Sequence, residues 1–190
     1  MARSKSFDRD EVLERAIPVF AEHGFEGTSA QMLTDAMGIG RQSIYDTFND
    51  KWQLYLAALR HYTRQSIGAQ LAALKSEPKA IDGLRAHLSA FAASAAETRA
   101  CLGLSAVSEF GCDRSDVVEI ARDAGRALHA ELQRCVARAE EDGDLSPDIA
   151  PAEAADFLMT QLSALKLAAR SGAGADSLQR MAKLGLRALR

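Results

Sequence analysis

Side chains that can contact the bases and the phosphates of a nucleic acid are concentrated between Arg41 and Lys51. Arginine can pair bidentately with guanine and glutamine with adenine in the major groove, so Arg41 and Gln42 have the side-chain chemistry that base contacts need. Ser43 and Asp46 would be exposed on the same helix. An aspartate there repels phosphate, but it can accept a hydrogen bond from a cytosine amino group. The residue types in this segment therefore indicate DNA recognition if a helix exposes them.

Two short predicted helices would position these side chains. Thr28 is a good helix N-cap and Gly38 is a good helix stop, which predicts a helix between them. A second helix follows over Arg41–Phe48, after a tight turn at residues 38–40. That turn is too short for antiparallel stacking, so the two helices must cross steeply, as in a helix-turn-helix. The alternative is an ordinary helical hairpin, because short helix-glycine-helix segments are common in all-α proteins.

The whole chain has the composition of an all-α protein. It has 190 residues, of which 47% are hydrophobic and only 6% aromatic, and this supports one or two compact domains. Helical periodicity predicts about nine helices and no sheet. The formal net charge is −3, so a polyanion partner requires a local basic patch. Besides the two short helices, helices are predicted over residues 9–24, 51–75, 79–97, 99–110, 117–142, 152–171 and 175–189.

The N-terminal segment resembles the signature of the TetR family of transcriptional repressors. The resemblance departs from the family pattern at Thr34 and Met37, where alanine is usual, and at Gly40, where a serine or threonine cap is usual. Glycine can occupy an N-cap position, but it has no side-chain oxygen to accept the hydrogen bond. The residues that carry the resemblance are Thr28, Leu33, Thr34, Met37, Gly38, Ile39, Ile44, Tyr45, Phe48 and Lys51.

The resemblance implies a domain organisation and a function. It implies a three-helix helix-turn-helix DNA-binding domain at residues 1–50. A helical ligand-binding and dimerisation domain would follow at residues 51–190, with the segment 51–75 as the connector helix. The implied function is that of a homodimeric repressor, which leaves its double-stranded DNA operator when a small-molecule inducer binds.

The family resemblance also assigns phosphate contacts around the second short helix. Tyr45 and Lys51 would supply a phenol and an ammonium group. Thr28 would supply its hydroxyl and a backbone N–H at a helix N-terminus. Arg3 and Lys5 would add minor-groove or backbone contacts.

An apolar helix near the C-terminus predicts a dimer interface. Residues 157–169 are apolar over more than one stripe, so this helix needs burial on two sides. In a domain this small, a second copy most simply provides the second side, together with the last helix. The alternative is a central helix that is buried within the monomer. The predicted interface residues are Phe157, Leu158, Leu162, Leu165, Leu178, Met181 and Leu186.

Polar residues within apolar stripes are candidates for a ligand pocket. His87, for example, lies one helical turn from Leu84 and Phe91. Small-molecule sites place a few such polar groups in an apolar lining. Each of these residues is also consistent with an ordinary core or surface position. The candidates are His87, Ser105, Ser108, Glu109, His129 and Lys166.

Cys101 suggests a second, thiol-based way of sensing. It opens the predicted helix 99–110, where the helix dipole and Arg99 would favour the reactive thiolate. Residues 100–104 resemble the corresponding stretch of TetR members that sense electrophiles and oxidants, and Lys166 is a candidate neighbour. Free cysteines are more often small hydrophobic residues, and Cys135 lies in an apolar stripe. A repressor that senses electrophiles or oxidants through Cys101 is therefore an alternative hypothesis.

Little in the sequence supports other function classes. The chain has no nucleophile elbow, no phosphate-binding glycine loop and no helix with two zinc-binding histidines. His129 and Cys135 are on different faces of one predicted helix, so no metal site is expected. Three unclustered cysteines and the lack of a signal peptide or membrane-length segment favour a cytoplasmic protein without a cofactor or membrane partner. A helical enzyme or an interaction adaptor is the remaining alternative.

Overall fold

The computed structural model describes residues 7–98 and 100–190. Within these ranges the chain forms nine α-helices and no β-strand, which confirms the predicted all-α fold. Each predicted helix is present, with ends that differ by a few residues. The helices are α1 (Arg9–Gly27), α2 (Ala30–Met37), α3 (Arg41–Phe48), α4 (Lys51–Leu74), α5 (Ala80–Glu97), α6 (Leu102–Phe110), α7 (Ser115–Glu141), α8 (Pro151–Arg170) and α9 (Ala175–Arg187).

The helices form two compact units. The first unit contains residues 7–65 and Ala100–Ala121, and the second contains residues 66–98 and Arg122–Arg190. In the first unit, α6 packs against α1. The unit around the helix-turn-helix is therefore larger than the segment 1–50 considered from the sequence, because α6 returns to it from later in the chain.

Helix α1 begins at a capping residue and breaks near its end. The Asp8 carboxylate accepts hydrogen bonds from the N–H groups of Asp10 and Glu11 at 2.8 and 3.3 Å, which satisfies donors of the first turn. At Gly24 the backbone takes φ +70° and ψ −179°, a conformation that glycine adopts readily. One more helical turn follows to Gly27, beyond the end predicted from the sequence.

The N-cap of α2 is Ser29, so the prediction of Thr28 is wrong. Ser29 Oγ accepts the N–H of Met32 at 3.2 Å. Thr28 is only 1% exposed, and its hydroxyl donates to the carbonyl oxygen of Gly24 at 2.5 Å. Adjacent threonine and serine are both good caps by residue type. The break in α1 decides between them, because it supplies the carbonyl acceptor for the Thr28 hydroxyl.

The turn between α2 and α3 has the predicted form. Gly38 ends α2 in the left-handed region at φ +68°, and Gly40 caps α3 without a side-chain hydrogen bond. From α1, the Arg15 guanidinium donates to the carbonyl oxygen of Met37 at 3.3 Å. Ile44 is buried and packs α3 into the first unit. These contacts fix the orientation of α3, whose other face is exposed.

Five of the seven residues predicted for a dimer interface lie in the core of the second unit. The prediction is wrong for these five, because α5 and α9 of the same chain pack against α8. The alternative of a helix buried within the monomer accounts for them. They are Leu158, Leu162, Leu165, Leu178 and Leu186, each at most 6% exposed in the single chain.

A different face of α8 and α9 leaves apolar side chains exposed. Phe157 is 42% exposed, Leu167 56% and Leu184 64%. The two helices lie close together, as the hydrogen bond between them shows: Gln161 Nε2 of α8 donates to the carbonyl oxygen of Met181 of α9 at 2.8 Å. Steps of three and four residues place the exposed positions on one face of each helix. This α8–α9 surface consists of Phe157, Thr160, Ala164, Leu167, Met181, Leu184 and Ala188.

Replacing Gly83 by alanine is expected to lower the free energy of unfolding by about 2 kcal/mol, because the methyl group has no space. A Cβ on Gly83 would lie 2.3 Å from the backbone carbonyl oxygen of Leu74. Gly68→Ala is the matched control: this α4 glycine has open space, so helix propensity predicts a gain of up to about 1 kcal/mol. Urea denaturation followed by circular dichroism measures both changes. Equal stabilisation by the two substitutions would contradict the prediction.

Candidate nucleic-acid interface

Helix α3 exposes most of the side chains predicted to contact bases. Arg41, Gln42 and Asp46 are exposed, and Ser43 is half-buried. The opposite face of the helix, which includes Ile44, is buried. The amphipathic pattern of α3 therefore separates a polar outer face from a packing face.

The exposed side chains of α3 pair with one another across one helical turn. Gln42 Nε2 donates to Asp46 Oδ1 at 2.8 Å. The guanidinium carbon of Arg41 lies 5.6 Å from the ring centroid of Tyr45. Both pairs have the four-residue spacing at which helical side chains meet. The Gln42 amide keeps a second N–H hydrogen and its carbonyl oxygen, which are the groups that pair with adenine.

A small cleft beside α3 is lined by three residues that carry hydrogen-bond donors, Arg41, Tyr45 and Lys51, and otherwise by apolar side chains. Its lining includes the first residue of α2, whose N-terminus has unpaired backbone N–H groups and a partial positive charge. This combination suits an anionic group such as a phosphate. The lining residues are Ala30, Leu33, Arg41, Ile44, Tyr45, Lys51 and Leu54.

Lys51 lies against an aromatic ring. Its Nζ is 4.4 Å from the ring centroid of Phe25, within the range of a cation–π interaction. The Phe25 ring in turn packs edge-on against Trp52, with 5.0 Å between the centroids. The position of the ammonium group therefore depends on the end of α1, where Phe25 lies.

Thr28 does not present its side chain for the phosphate contact assigned from the family. The side chain is buried, and its hydroxyl hydrogen goes to the Gly24 carbonyl. The backbone N–H of Thr28 donates to the Phe25 carbonyl at 3.3 Å. This part of the prediction is wrong, because Thr28 holds the junction between α1 and α2 instead. Arg3 and Lys5 lie outside the described residues.

Two of the predicted ligand residues flank one aromatic ring in the second unit. His87 is buried, with its ring centroid 6.4 Å from that of Phe91, and Lys166 Nζ lies 5.3 Å from the Phe91 centroid. Burial lowers the pKa of His87 to about 4, because an apolar interior disfavours the imidazolium. His129 instead pairs with Asp156, with 3.0 Å between Nε2 and Oδ1.

The buried His87 is expected to make the protein less stable at pH 5 than at pH 7. Its pKa is about 4 when folded and about 6.5 when unfolded. The unfolded chain therefore binds the extra proton first as the pH falls through this window. Because of this residue, the free energy of unfolding falls by about 2 kcal/mol between pH 7 and pH 5.

His87→Leu should remove this part of the pH dependence of stability. His23→Leu, at an exposed position of α1, should leave it unchanged. Urea denaturation at both pH values is the measurement; an unchanged pH dependence in His87→Leu refutes the assignment.

Three other predicted ligand residues form hydrogen bonds to the backbone in the first unit. Ser105 Oγ donates to the carbonyl oxygen of Ala21 at 2.9 Å. Ser108 Oγ donates to the carbonyl oxygen of Leu104, also at 2.9 Å. The Glu109 carboxylate accepts two backbone N–H groups of α1. These bonds hold α6 internally and to α1, so each of the three side chains also has a structural role.

Cys101 is the N-cap of α6. Its Sγ accepts the N–H of Leu104 at 3.5 Å and the hydroxyl of Tyr62 at 3.1 Å, so two donors converge on the sulfur. Cys135 is buried in the core of the second unit, and burial raises the pKa of its thiol. Arg99, the neighbour expected for Cys101, lies outside the described residues.

Two other kinds of feature are absent from the described part of the chain. No group of three or more His, Cys, Asp or Glu side chains there is arranged to hold a metal ion. None of its helices combines the length and the apolar character that crossing a membrane requires.

Family models match most of the chain. The model for bacterial regulatory proteins of the tetR family matches residues 12–58. The model for the tetracyclin repressor-like C-terminal domain matches residues 80–184. The chain belongs to the TetR family. Membership of the TetR family confirms the resemblance found in the sequence and identifies the protein as a DNA-binding transcriptional regulator.

Individual TetR-family proteins match over different lengths. The HTH-type transcriptional repressor ComR of Escherichia coli (strain K12) is 26% identical over 189 residues, which are 97% of this chain and 90% of ComR. The HTH-type transcriptional regulator YezE of Bacillus subtilis (strain 168) is 42% identical over 85 residues, 45% of this chain and 44% of YezE. A cysteine variant of the TetR regulator CifR, solved with 26-base-pair operator DNA, is 31% identical with a TM-score of 0.76. That match covers 99% of this chain and 100% of the CifR chain.

Three residues that shape these sites were not predicted from the sequence. Ser29 caps α2, Phe25 supports Lys51, and Tyr62 donates to the Cys101 sulfur. The serine is recognisable by residue type, since it is one of two adjacent capping residues. The other two residues meet partners far along the chain, so no local pattern marks them.

Proposed function

We propose that this TetR-family regulator is a homodimeric repressor that binds a double-stranded DNA operator through α3 and leaves it when a small-molecule inducer binds. The observation that carries the proposal is the exposed face of α3, where Arg41 and Gln42 stand next to the cleft that Lys51 lines. In the proposed complex, Arg41 donates two hydrogen bonds to a guanine, and Gln42 pairs with an adenine. Asp46 accepts a hydrogen bond from a cytosine amino group.

The cleft beside α3 is the proposed phosphate site. Tyr45 and Lys51 would donate to a phosphate oxygen there, next to the positive end of α2. Contacts of this kind fix the register of a recognition helix without reading the base sequence. The chain has a formal net charge of −3, so this local group of donors, rather than the overall charge, would attract the DNA.

The α8–α9 surface supports a homodimer. Contiguous exposed apolar side chains such as Phe157, Leu167 and Leu184 mark interaction surfaces. Two copies of α8 and α9 related by a two-fold axis would form a four-helix interface. The two α3 helices of such a dimer would read half-sites about one helical turn of DNA, roughly 34 Å, or a multiple of it apart. Operator DNA bound to the CifR variant and the repressor name of ComR support operator binding and repression.

The proposed inducer site lies around Phe91 in the second unit. A neutral imidazole from His87 and an ammonium group from Lys166 flank the ring. An aromatic face with a few polar groups is the usual lining of a small-molecule site. The inducer releases the repressor only if it binds the DNA-incompetent conformation more tightly, and such coupling is typically about 1–3 kcal/mol. Helix α4 runs from the first unit into the second and is the proposed connector.

Fluorescence anisotropy tests the operator-binding proposal. The operator fragment is the one that the purified protein binds when it is offered fragments of its own genome. The affinity of the protein for this fragment is then compared, over a salt series, with its affinity for a shuffled fragment of the same length. The proposal expects a preference for the selected fragment of about 1,000-fold or more. Affinity for both fragments should fall as the salt concentration rises. Equal, weak binding to both fragments contradicts operator recognition.

Cys101 favours a second candidate function, an electrophile- or oxidant-sensing repressor. The Tyr62 hydroxyl and the Leu104 N–H both donate to Cys101 Sγ, so two polar contacts hold the sulfur at the start of α6. Alkylation of the sulfur would weaken the hydrogen bond that Sγ accepts from the Leu104 N–H at the start of α6, and with it the N-cap of the helix. The DNA-binding surface is the same in both candidate functions, and only the signal differs.

Cys101→Ser is expected to abolish the release of operator DNA by the thiol reagent N-ethylmaleimide. Serine can still cap α6 through its Oγ, but this reagent does not alkylate it as it does a thiolate. Operator affinity before treatment should therefore stay close to that of the unmodified protein. Cys112→Ser, which removes an exposed cysteine, is the matched control and should keep the response. Anisotropy of the preformed complex after addition of the reagent reports release, and undiminished release from Cys101→Ser refutes thiol sensing at this residue.

A further inference from the structure

The Glu109 carboxylate connects α6 to the break in α1. Its Oε2 accepts the N–H of Phe25 at 2.7 Å, and its Oε1 accepts the N–H of Glu26 at 2.9 Å. Both N–H groups directly follow Gly24, whose non-helical φ and ψ turn them away from the carbonyl groups of the preceding helical turn. Glu109 therefore acts as an N-cap that another helix supplies for the last turn of α1.

Further hydrogen bonds of this junction are formed by its own residues. The Thr28 hydroxyl donates to the Gly24 carbonyl at 2.5 Å, and the Thr28 N–H donates to the Phe25 carbonyl at 3.3 Å. Ser29 then caps the first turn of α2. The α1–α2 junction, residues 24–29, is thus held by its two hydroxyl residues and by one side chain from α6.

Glycine at position 24 leaves room for the close approach of Glu109. A Cβ on Gly24 would lie 2.9 Å from Glu109 Oε2. The positive φ of +70° also disfavours any side chain at this position. The carboxylate and the glycine are therefore one structural unit, although they are far apart in the sequence.

Two groups of the proposed phosphate site depend on the α1–α2 junction. Lys51 Nζ lies 4.4 Å from the ring of Phe25, the residue whose backbone N–H Glu109 accepts. Ala30, which lines the cleft, is the first residue of α2 and follows the junction directly. A displacement of Phe25 would move the support of the ammonium group and the start of α2 together.

We propose that Glu109 is a positioning residue for DNA binding. Its carboxylate sets the α1–α2 junction so that Lys51 and the N-terminus of α2 face the DNA backbone together. This inference rests on the operator-binding function proposed above, and Glu109 itself contacts no DNA in it. Cys101 caps the same helix as Glu109. A modification of Cys101 that displaced α6 would therefore also displace the α1–α2 junction, because the two hydrogen bonds of Glu109 connect them.

Charge alone predicts the opposite effect of removing this carboxylate. A negative side chain repels phosphate, so its loss should leave DNA affinity unchanged or raise it. Loss of a positioning contact should lower operator affinity instead. The sign of the change therefore separates the two roles of Glu109.

The test compares Glu109→Ala and Glu109→Gln with Glu119→Ala, which removes an exposed carboxylate of α7 in the same unit. Anisotropy is measured on the fragment that the wild-type protein selects and on its shuffled counterpart. Glu109→Ala should weaken operator binding by about tenfold, the effect of losing charge-assisted hydrogen bonds. Glu109→Gln keeps one carbonyl acceptor and should fall between Glu109→Ala and the wild type. Glu119→Ala should bind as tightly as the wild type or slightly more tightly.

Hydrogen exchange and thermal unfolding separate positioning from general stability. The amide hydrogens of Phe25 and Glu26 should exchange faster in Glu109→Ala, and DNA binding is measured at a temperature where all variants are folded. The proposal is overturned if Glu109→Ala binds the operator as tightly as Glu119→Ala. It is also overturned if the amide hydrogens of Phe25 and Glu26 exchange as slowly in Glu109→Ala as in the wild-type protein. If the wild-type protein itself prefers neither fragment, the proposed function fails before any variants are compared, which distinguishes the two failures.

Discussion

Arg41→Ala is expected to weaken operator binding by about 10- to 100-fold and to relax the preference for one guanine. A bidentate contact between arginine and guanine provides about 1–3 kcal/mol of discrimination. The Arg41 side chain already lies over the Tyr45 ring on the exposed face of α3, 5.6 Å from its centroid. A side chain ordered before binding loses less conformational entropy in the complex, which supports an effect at the upper end of this range.

The measurement is anisotropy on the selected operator and on operators with each guanine replaced in turn. Arg64→Ala is the matched control, because it removes an exposed arginine of α4 in the same unit. A general loss of positive charge should weaken binding to all sequences by a similar factor. Arg41→Ala should instead change the preference among them. Uniform weakening by Arg41→Ala would mean that this side chain contacts only the DNA backbone.

Gln42→Ala extends the same measurement to a second base. The hydrogen bond from Gln42 Nε2 to Asp46 Oδ1 fixes the orientation of the amide, with one N–H and the carbonyl oxygen left for adenine. The substitution should therefore relax the preference for one adenine without changing the salt dependence, since no phosphate contact is lost. An unchanged preference at every adenine would exclude this role for Gln42.

Leu184→Glu is expected to convert the proposed homodimer into monomers and to lower operator affinity by about 100-fold or more. Leu184 is 64% exposed in the single chain, so a glutamate there stays solvated and the fold remains intact. In a dimer formed through the α8–α9 surface, the same carboxylate would be buried without a partner. An uncompensated buried charge costs several kcal/mol. A monomer then binds one half-site at a time and loses the advantage of two linked contacts.

Sedimentation velocity measures the oligomeric state of this variant. The wild-type protein should sediment with twice the mass of the 20.4 kDa chain, and Leu184→Glu with the mass of one chain. Val107→Glu is the matched control, because Val107 is 57% exposed on α6 and lies outside the α8–α9 surface. A Leu184→Glu protein that remains a dimer would show that the copies meet elsewhere.

The helix-turn-helix could be predicted because its determinants lie close together in the sequence. The bounds of α3 agree with the prediction of Arg41–Phe48, and Gly38 has the expected left-handed conformation. Ile44 is buried while Arg41 is exposed, as helical periodicity requires. The prediction of Thr28 as the cap was wrong, because the adjacent Ser29, a slightly better capping residue by type, caps α2 instead.

The residues of the dimer interface and of the ligand site were harder to predict. Their sequence pattern indicates that a side chain is buried, but not which segment of which chain covers it. An apolar helix such as α8 needs burial on two sides whether the second side belongs to the same chain or to another copy. Leu158 and Leu165 are covered within the chain, whereas Phe157 is exposed. Polar residues of α6 were similarly ambiguous, and Ser105 proved to be bonded to the backbone of α1.

Local sequence patterns were enough to predict the nine helices of the described ranges, the turn at Gly38 and the exposure of Arg41 and Gln42. Caps, left-handed glycines and helical periodicity act within a few residues, so they can be recognised locally. By contrast, no local pattern shows that Glu109 caps the broken end of α1, because its partner Phe25 is 84 residues away in the sequence. Such a bond depends on how α6 packs against α1, and packing between distant segments leaves no periodic pattern in the residues that it brings together.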